Sequence, residues 1–139
     1  LGEACHFIDL LRYLAEHPIS EARICGLSGS AETATITLAF ADGSIGTIHY
    51  IANGSRSYPK ETLEVFCAGS VVRLENFRRL RAFGWKGVRP QRLWRQDKGQ
   101  HACAVAFIDA LRGETKPVPF NEILEVSRLA IELSDALRG

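Results

Sequence analysis

Thr33-Ala34-Thr35-Ile36-Thr37-Leu38-Ala39-Phe40, then Ala41-Asp42-Gly43, then Ser44-Ile45-Gly46-Thr47-Ile48-His49-Tyr50-Ile51-Ala52, is the stretch that decides the fold class. Ala34, Ile36, Leu38 and Phe40 alternate with Thr33, Thr35, Thr37 and Ala39, the period of a strand with one face buried. Asp42-Gly43 marks a tight hairpin turn, because such turns need a left-handed backbone that glycine adopts without a Cβ clash. The return strand spans Ser44 to Ala52 and puts Ile45, Thr47, His49 and Ile51 on one face.

A second hairpin covers Glu61 to Asn76: Leu63, Val65 and Cys67 alternate with Thr62, Glu64 and Phe66, Ala68-Gly69-Ser70 turns, and Val71 to Leu74 returns. Phe77 to Phe83 continues the sheet. Upstream, Gly2 to Glu16 reads as an amphipathic helix with Phe7, Leu10, Leu11 and Leu14 as its stripe. It ends at His17-Pro18, where proline disfavours helix at the preceding residue, and a short strand follows near Ala22 to Leu27. Downstream, Gly84 to Gly99 is a long polar loop. Gln100 to Leu111 is a helix with Ala102, Val105, Ala106, Phe107 and Ile108 on its buried side. Asn121 to Leu137 is another, N-capped by Asn121, with Ile123, Leu124, Leu129, Ile131 and Leu137 in its stripe.

This order predicts an α+β fold: an open, mostly antiparallel sheet with helices packed on one face. The second, threonine-rich face carries Ile45 and Ile51. It is expected to be available for oligomerisation, giving a homo-dimer or tetramer.

Length and composition bound the rest. At 139 residues the chain is expected to form one domain, 1–139. Hydrophobic content of 46% and charged content of 24% fit a soluble globular protein. A net charge of +1 gives no overall pull toward nucleic acid or membrane. No apolar run approaches membrane-spanning length. The scattered cysteines Cys5, Cys25, Cys67 and Cys103 read as reduced, mostly buried thiols in a cytoplasmic protein, with no metal site. The chain has no methionine and begins at Leu1 beside a helix, so it is expected to be part of a longer polypeptide.

Three groups of residues could carry chemistry. Glu3, His6 and Asp9 are three apart and share one helical face. An imidazole flanked by carboxylates can pass a proton near neutral pH, although the same pattern also suits a capped helix facing water. The stretch from Arg78 to Lys98 holds eight of the chain's 17 basic residues, with Phe83, Trp85 and Trp94 among them. It fits an anchor for an anionic sugar nucleotide or cofactor phosphate, a docking loop, or a single-stranded nucleic-acid surface. The acidic remainder of the chain argues against nucleic acid. Lys60, after Tyr58-Pro59, sits where it could reach a substrate hydroxyl or carboxylate. Neither GxGxxG nor GxxxxGK[ST] occurs, so no nucleotide-binding loop is present in the sequence.

Taken together, three ordered blocks resemble the C-terminal domain of the glucose–fructose oxidoreductase/inositol dehydrogenase/rhizopine-catabolism (Gfo/Idh/MocA) family. Gly2 to Leu14 is similar to its G-x-H-x-x-D-L-x-x-x-L segment, with Cys5 replacing the flanking small residue. Phe40 to Gly46 is similar to its "fadGs.g" hairpin. Phe107 to Gly113, followed by Pro117, is similar to its "F..ai..G..P" helix end. Where the family often has an aspartate four residues before the histidine, this chain has Gly2, with Glu3 beside it. Glu114-Thr115-Lys116-Pro117 only superficially matches the family's Glu-Lys-Pro motif and is discounted.

The resemblance implies the substrate-binding and oligomerisation domain of an NAD(P)-dependent oxidoreductase acting on a sugar, polyol or nucleotide sugar. NAD or NADP would be bound by an N-terminal Rossmann domain outside this chain, and the chain alone would be inactive. His6 would be the catalytic residue; Glu3, Asp9, Lys60, Arg78 and Trp94 are expected to bind substrate. The rival reading is a non-catalytic dimerisation or partner-binding module.

Overall fold

The computed structural model describes residues 3–28, 30, 32–114 and 118–138. Helix α1 runs Ala4–Ala15, followed by strands β1 (Ile19–Gly26), β2 (Thr33–Phe40), β3 (Ile45–Ile51), β4 (Thr62–Cys67), β5 (Ser70–Glu75), β6 (Arg79–Phe83) and β7 (Gln91–Arg92). Helices α2 (Gln100–Leu111) and α3 (Phe120–Arg138) complete it. The class is α+β with open antiparallel sheets, as the order of elements predicts. The strands form two sheets, β1-β2-β3 and β4-β5-β6-β7. They lie in two compact units, Leu1–Gly54 with Val118–Gly139, and Ser55–Pro117.

In the first unit, β2 is the central strand, antiparallel to β1 and β3. Its alternation works as the sequence requires: Ala34, Ile36, Leu38 and Phe40 are buried, and they meet Ala4 and Ile8 of α1 and Val126 and Leu133 of α3 in one core. Full burial of Ile8, Ile36 and Leu38 stabilises the fold by about 1.5–3 kcal/mol each. The opposite face leaves Ile45, Thr47, His49 and Ile51 exposed, with Thr35 Oγ1 and His49 Nδ1 3.1 Å apart. At the β2–β3 turn, Gly43 has φ +87°. Asp42 Oδ1 there accepts bonds from the Ser44 hydroxyl (2.7 Å) and the Ser44 N–H (3.0 Å). The hydroxyl bond is the larger cause holding the Asp42 carboxyl below its usual range; the nearby His17 imidazole adds to it.

The helix stripes are rotated from the expected ones. Ala4, Ile8 and Arg12 are the buried line of α1, while Leu14 is exposed; in α3, Val126 and Leu133 are buried, and Ile123, Leu124 and Ile131 are exposed. Arg12, at 6% exposure, is admitted to the core because its charge is answered. Its Nε donates to Glu125 Oε2 at 3.1 Å, Glu122 Oε1 lies 3.5 Å from Nη2, and Glu125 Oε1 accepts the Ile19 N–H at 2.5 Å. One carboxylate thus ties α1, α3 and the first residue of β1 together. The end of α3 also sits hard on β1, since a methyl group at Gly26 would collide with Leu137.

Helix α3 starts at Phe120 rather than Asn121, because the Pro119 carbonyl already accepts the N–H groups of Glu122 (3.0 Å) and Ile123 (3.3 Å). In the second unit the four strands form a meander. The expected polar loop holds the short β7, and α2 buries none of its residues. Gly2 and the Thr115-Lys116-Pro117 stretch lie outside the described residues. Cys25, Cys67 and Cys103 are exposed and Cys5 is half-buried, so the thiols are not mostly buried. Among the described residues, no helix is long and apolar enough to cross a membrane.

Candidate functional site

The expected site residues fall into two groups, one in each unit. Glu3, His6 and Asp9 stand on exposed positions at the start of α1. Glu3 is the N-cap residue but makes no side-chain cap bond, and the His6 N–H donates to the Glu3 carbonyl at 3.2 Å. The His6 ring makes no hydrogen bond or ion pair with either carboxylate. Helical spacing sets the three on one face, and the His6 side chain is exposed. The Arg12 clasp two turns along fixes α1 against α3, so the turn bearing His6 rests on an anchored helix.

Lys60, Arg78 and Trp94 converge in the second unit, around an open groove of about 510 Å³. The β-meander brings together positions far apart in sequence. Arg78 follows the β5–β6 turn, where Asn76 and Phe77 both take left-handed backbone (φ +50° and +48°). For phenylalanine that conformation is costly, and it persists here because surrounding bonds hold it. The Asn76 N–H donates to the Glu61 carbonyl (2.7 Å), the Glu61 N–H to Asn76 Oδ1 (3.1 Å), and the Asp97 N–H to the Phe77 carbonyl (3.2 Å). Arg78 Nε donates to the Leu93 carbonyl at 2.9 Å, which fixes its stem and leaves its two terminal nitrogens uncommitted.

Sequence reasoning had Glu61 beside Lys60 and Lys98 in the basic stretch, but did not bring the two together with Gln96 in one site. Lys98 Nζ donates to Glu61 Oε1 at 2.6 Å, and Gln96 Nε2 to Glu61 Oε2 at 3.2 Å. The Glu61 side chain is only 12% exposed, so this carboxylate is spent as a clasp on the loop. Lys60, Arg78 and Arg95 keep their charge for a ligand. Trp94, at 87% exposure, offers a flat apolar surface beside them. Cations next to an uncovered indole suit a ligand that joins an anionic group to a ring. The one signal in the sequence was the opposite charge of Glu61 and Lys98.

Both sheets are antiparallel, and no strand–helix–parallel-strand unit occurs among the described residues. That unit, with a Gly-rich turn at the helix N-terminus, is how a Rossmann domain cradles a dinucleotide.

No family model and no curated protein matches the sequence. The fold itself is found in an oxidoreductase, as part of a larger dehydrogenase chain. That solved structure is the WlbA dehydrogenase from Bordetella pertussis in complex with NADH and UDP-GlcNAcA; it aligns with a TM-score of 0.56 and 20% identity. The alignment covers 98% of this chain and 41% of that one, so the chain spans well under half of its structural neighbour. At this identity the likeness is one of fold.

Proposed function

We infer that this chain is the C-terminal substrate-binding and oligomerisation domain, 1–139, of an NAD(P)-dependent oxidoreductase acting on a sugar, polyol or nucleotide sugar. The observation that carries the reading is the shared fold along 98% of the chain with 41% of a dehydrogenase chain. Two features of the residues support it. The groove of Lys60, Arg78, Arg95 and Trp94 suits the anionic and ring parts of such a substrate. His6 stands unbonded on an anchored helix, available to take the proton of a substrate hydroxyl, with Glu3 and Asp9 to orient ring and substrate. NAD or NADP belongs to an N-terminal Rossmann domain of the same cytoplasmic polypeptide, in keeping with the larger dehydrogenase chain that shares this fold. The exposed face of β1–β3 is the surface through which copies pair.

The test uses the full-length protein and a panel of sugars, polyols and UDP-sugars, following NAD(P)H by absorbance. Turnover of at least one substrate is expected, and His6→Ala should slow it roughly 10²–10⁴-fold, the usual worth of a general base. Unchanged turnover in His6→Ala would remove His6 from the chemistry. No turnover with any member, in a protein that still self-associates, would favour the non-catalytic dimerisation module.

A further inference from the structure

We propose that one face of the four-stranded sheet is a second anion site, built to hold a phosphoryl group between Arg79, Arg81 and Arg92. It is separate from the Lys60–Arg78–Trp94 groove and shares no lining residue with it. It also stands independently of the enzymatic reading.

The register places the charges. Side chains alternate along a strand, so Arg73 and Glu75 of β5, Arg79 and Arg81 of β6, Glu64 of β4 and Arg92 of β7 share one face. Arg73 pairs directly across from Arg81, and Arg79 stands between Arg92 on one side and Glu75 on the other. Like charges opposite one another destabilise a sheet, so two such pairs side by side call for a counter-charge.

The protein supplies little of it. Both carboxylates on the face lie nearest Arg73, with Glu75 Oε1 3.0 Å from its Nε, although that Nε makes no hydrogen bond, and Glu64 Oε1 3.5 Å from Nη1. Arg79, Arg81 and Arg92 make no ion pair among the described residues. An open, shallow depression of about 250 Å³ is lined by these three with Leu80, Pro90 and Gln91. Planar guanidinium forks match the oxygens of a phosphate, and three arginines lining one depression can offer several of them to it. A phosphate or phosphomonoester entering there would neutralise the cross-strand repulsion and gain charge-assisted hydrogen bonds.

Inorganic phosphate and phenyl phosphate are the probes, titrated calorimetrically into the full chain at constant ionic strength set with chloride. Saturable binding of one or both supports the site, and their ratio tells whether free phosphate or an ester fits better. Arg79→Gln and Arg92→Gln should each weaken binding roughly tenfold or more, the worth of one charge-assisted hydrogen bond. Arg81→Lys keeps the charge, loses the fork and should weaken it less. Lys60→Gln in the other groove should leave it unchanged. Without phosphate, Arg92→Gln should melt no lower than the parent, because it relieves a like-charge pair; with phosphate, only the parent should gain. The proposal is overturned by equal phosphate binding in parent and arginine variants, by loss of binding in Lys60→Gln alone, or by no binding of either probe. Length-dependent binding of single-stranded oligonucleotide with none of either phosphate would equally overturn it.

Discussion

Replacing Glu125 by alanine should cost far more than loss of an ordinary surface carboxylate. Its two oxygens hold Arg12 Nε at 3.1 Å and the Ile19 N–H at 2.5 Å. Removing one partner of a buried ion pair costs about 3–5 kcal/mol, because the remaining charge is stranded. Glu122 remains 3.5 Å from Arg12, and the Glu125 side chain is 24% exposed, so water and Glu122 recover part of the loss. Glu125→Ala is therefore expected at the lower end, about 3 kcal/mol. Glu125→Gln keeps an acceptor for Ile19 and loses the charge, for about 1–2 kcal/mol. Arg12→Met fills the space but leaves Glu122 and Glu125 without their cation; both are partly exposed, so the cost should fall below that of Glu125→Ala, at about 2 kcal/mol. The double variant Arg12→Met/Glu125→Ala should then be more stable than the sum of the singles predicts, by at least about 1 kcal/mol. Urea unfolding followed by circular dichroism measures all of them. A cost below about 1 kcal/mol for Glu125→Ala, or a cycle that closes additively, would refute the clasp.

Ile36→Ala, at a fully buried position of the central strand, should destabilise by about 2–5 kcal/mol in the same assay; a cost typical of the surface would mean that β2 is not the core strand. Glu61→Gln frees Lys98 and loosens the groove loop. It should weaken substrate affinity more than His6→Ala does while leaving the chemical step less affected, a contrast read from separate KM and kcat values. Asp42 gives a pH signature. Its carboxyl pKa is lowered on folding, chiefly by the Ser44 hydroxyl, so it contributes stability above the ordinary carboxylate value and loses it as pH falls through the folded one. Asp42→Asn should thus be less stable than the parent at neutral pH, and the difference should close below about pH 4; a constant gap down to lower pH would contradict this.

Much of the fold was legible because local signals and burial agree. The Thr33–Phe40 alternation and the Asp42-Gly43 turn define β2 and β3, since one buried face imposes a period of two. The bounds of α2 also match. What was not legible depends on partners distant in sequence. Arg12 hid in a polar reading of α1, although its spacing of four from Ile8 and eight from Ala4 places it on the buried line. Its acceptability there is decided by Glu125, over a hundred residues away. The division of strands between two sheets was not legible, because each hairpin reads the same whether or not it pairs with the next. At the site, the spacing of Glu3, His6 and Asp9 was readable from helical geometry alone. The convergence of Lys60, Arg78 and Trp94 was not, because it depends on the β6–β7 pairing and on left-handed backbone at Phe77, a residue type that gives no hint of it.

If this chain is the substrate half of a dehydrogenase, the nicotinamide cofactor is held elsewhere in the full-length protein. Fluorescence titration of NADH and NADPH against the full-length protein and against the 139-residue chain tests it most directly. The account predicts saturable binding of one cofactor by the full-length protein and none by the chain. Tight binding of either cofactor by the chain alone, or none by the full-length protein, would contradict it.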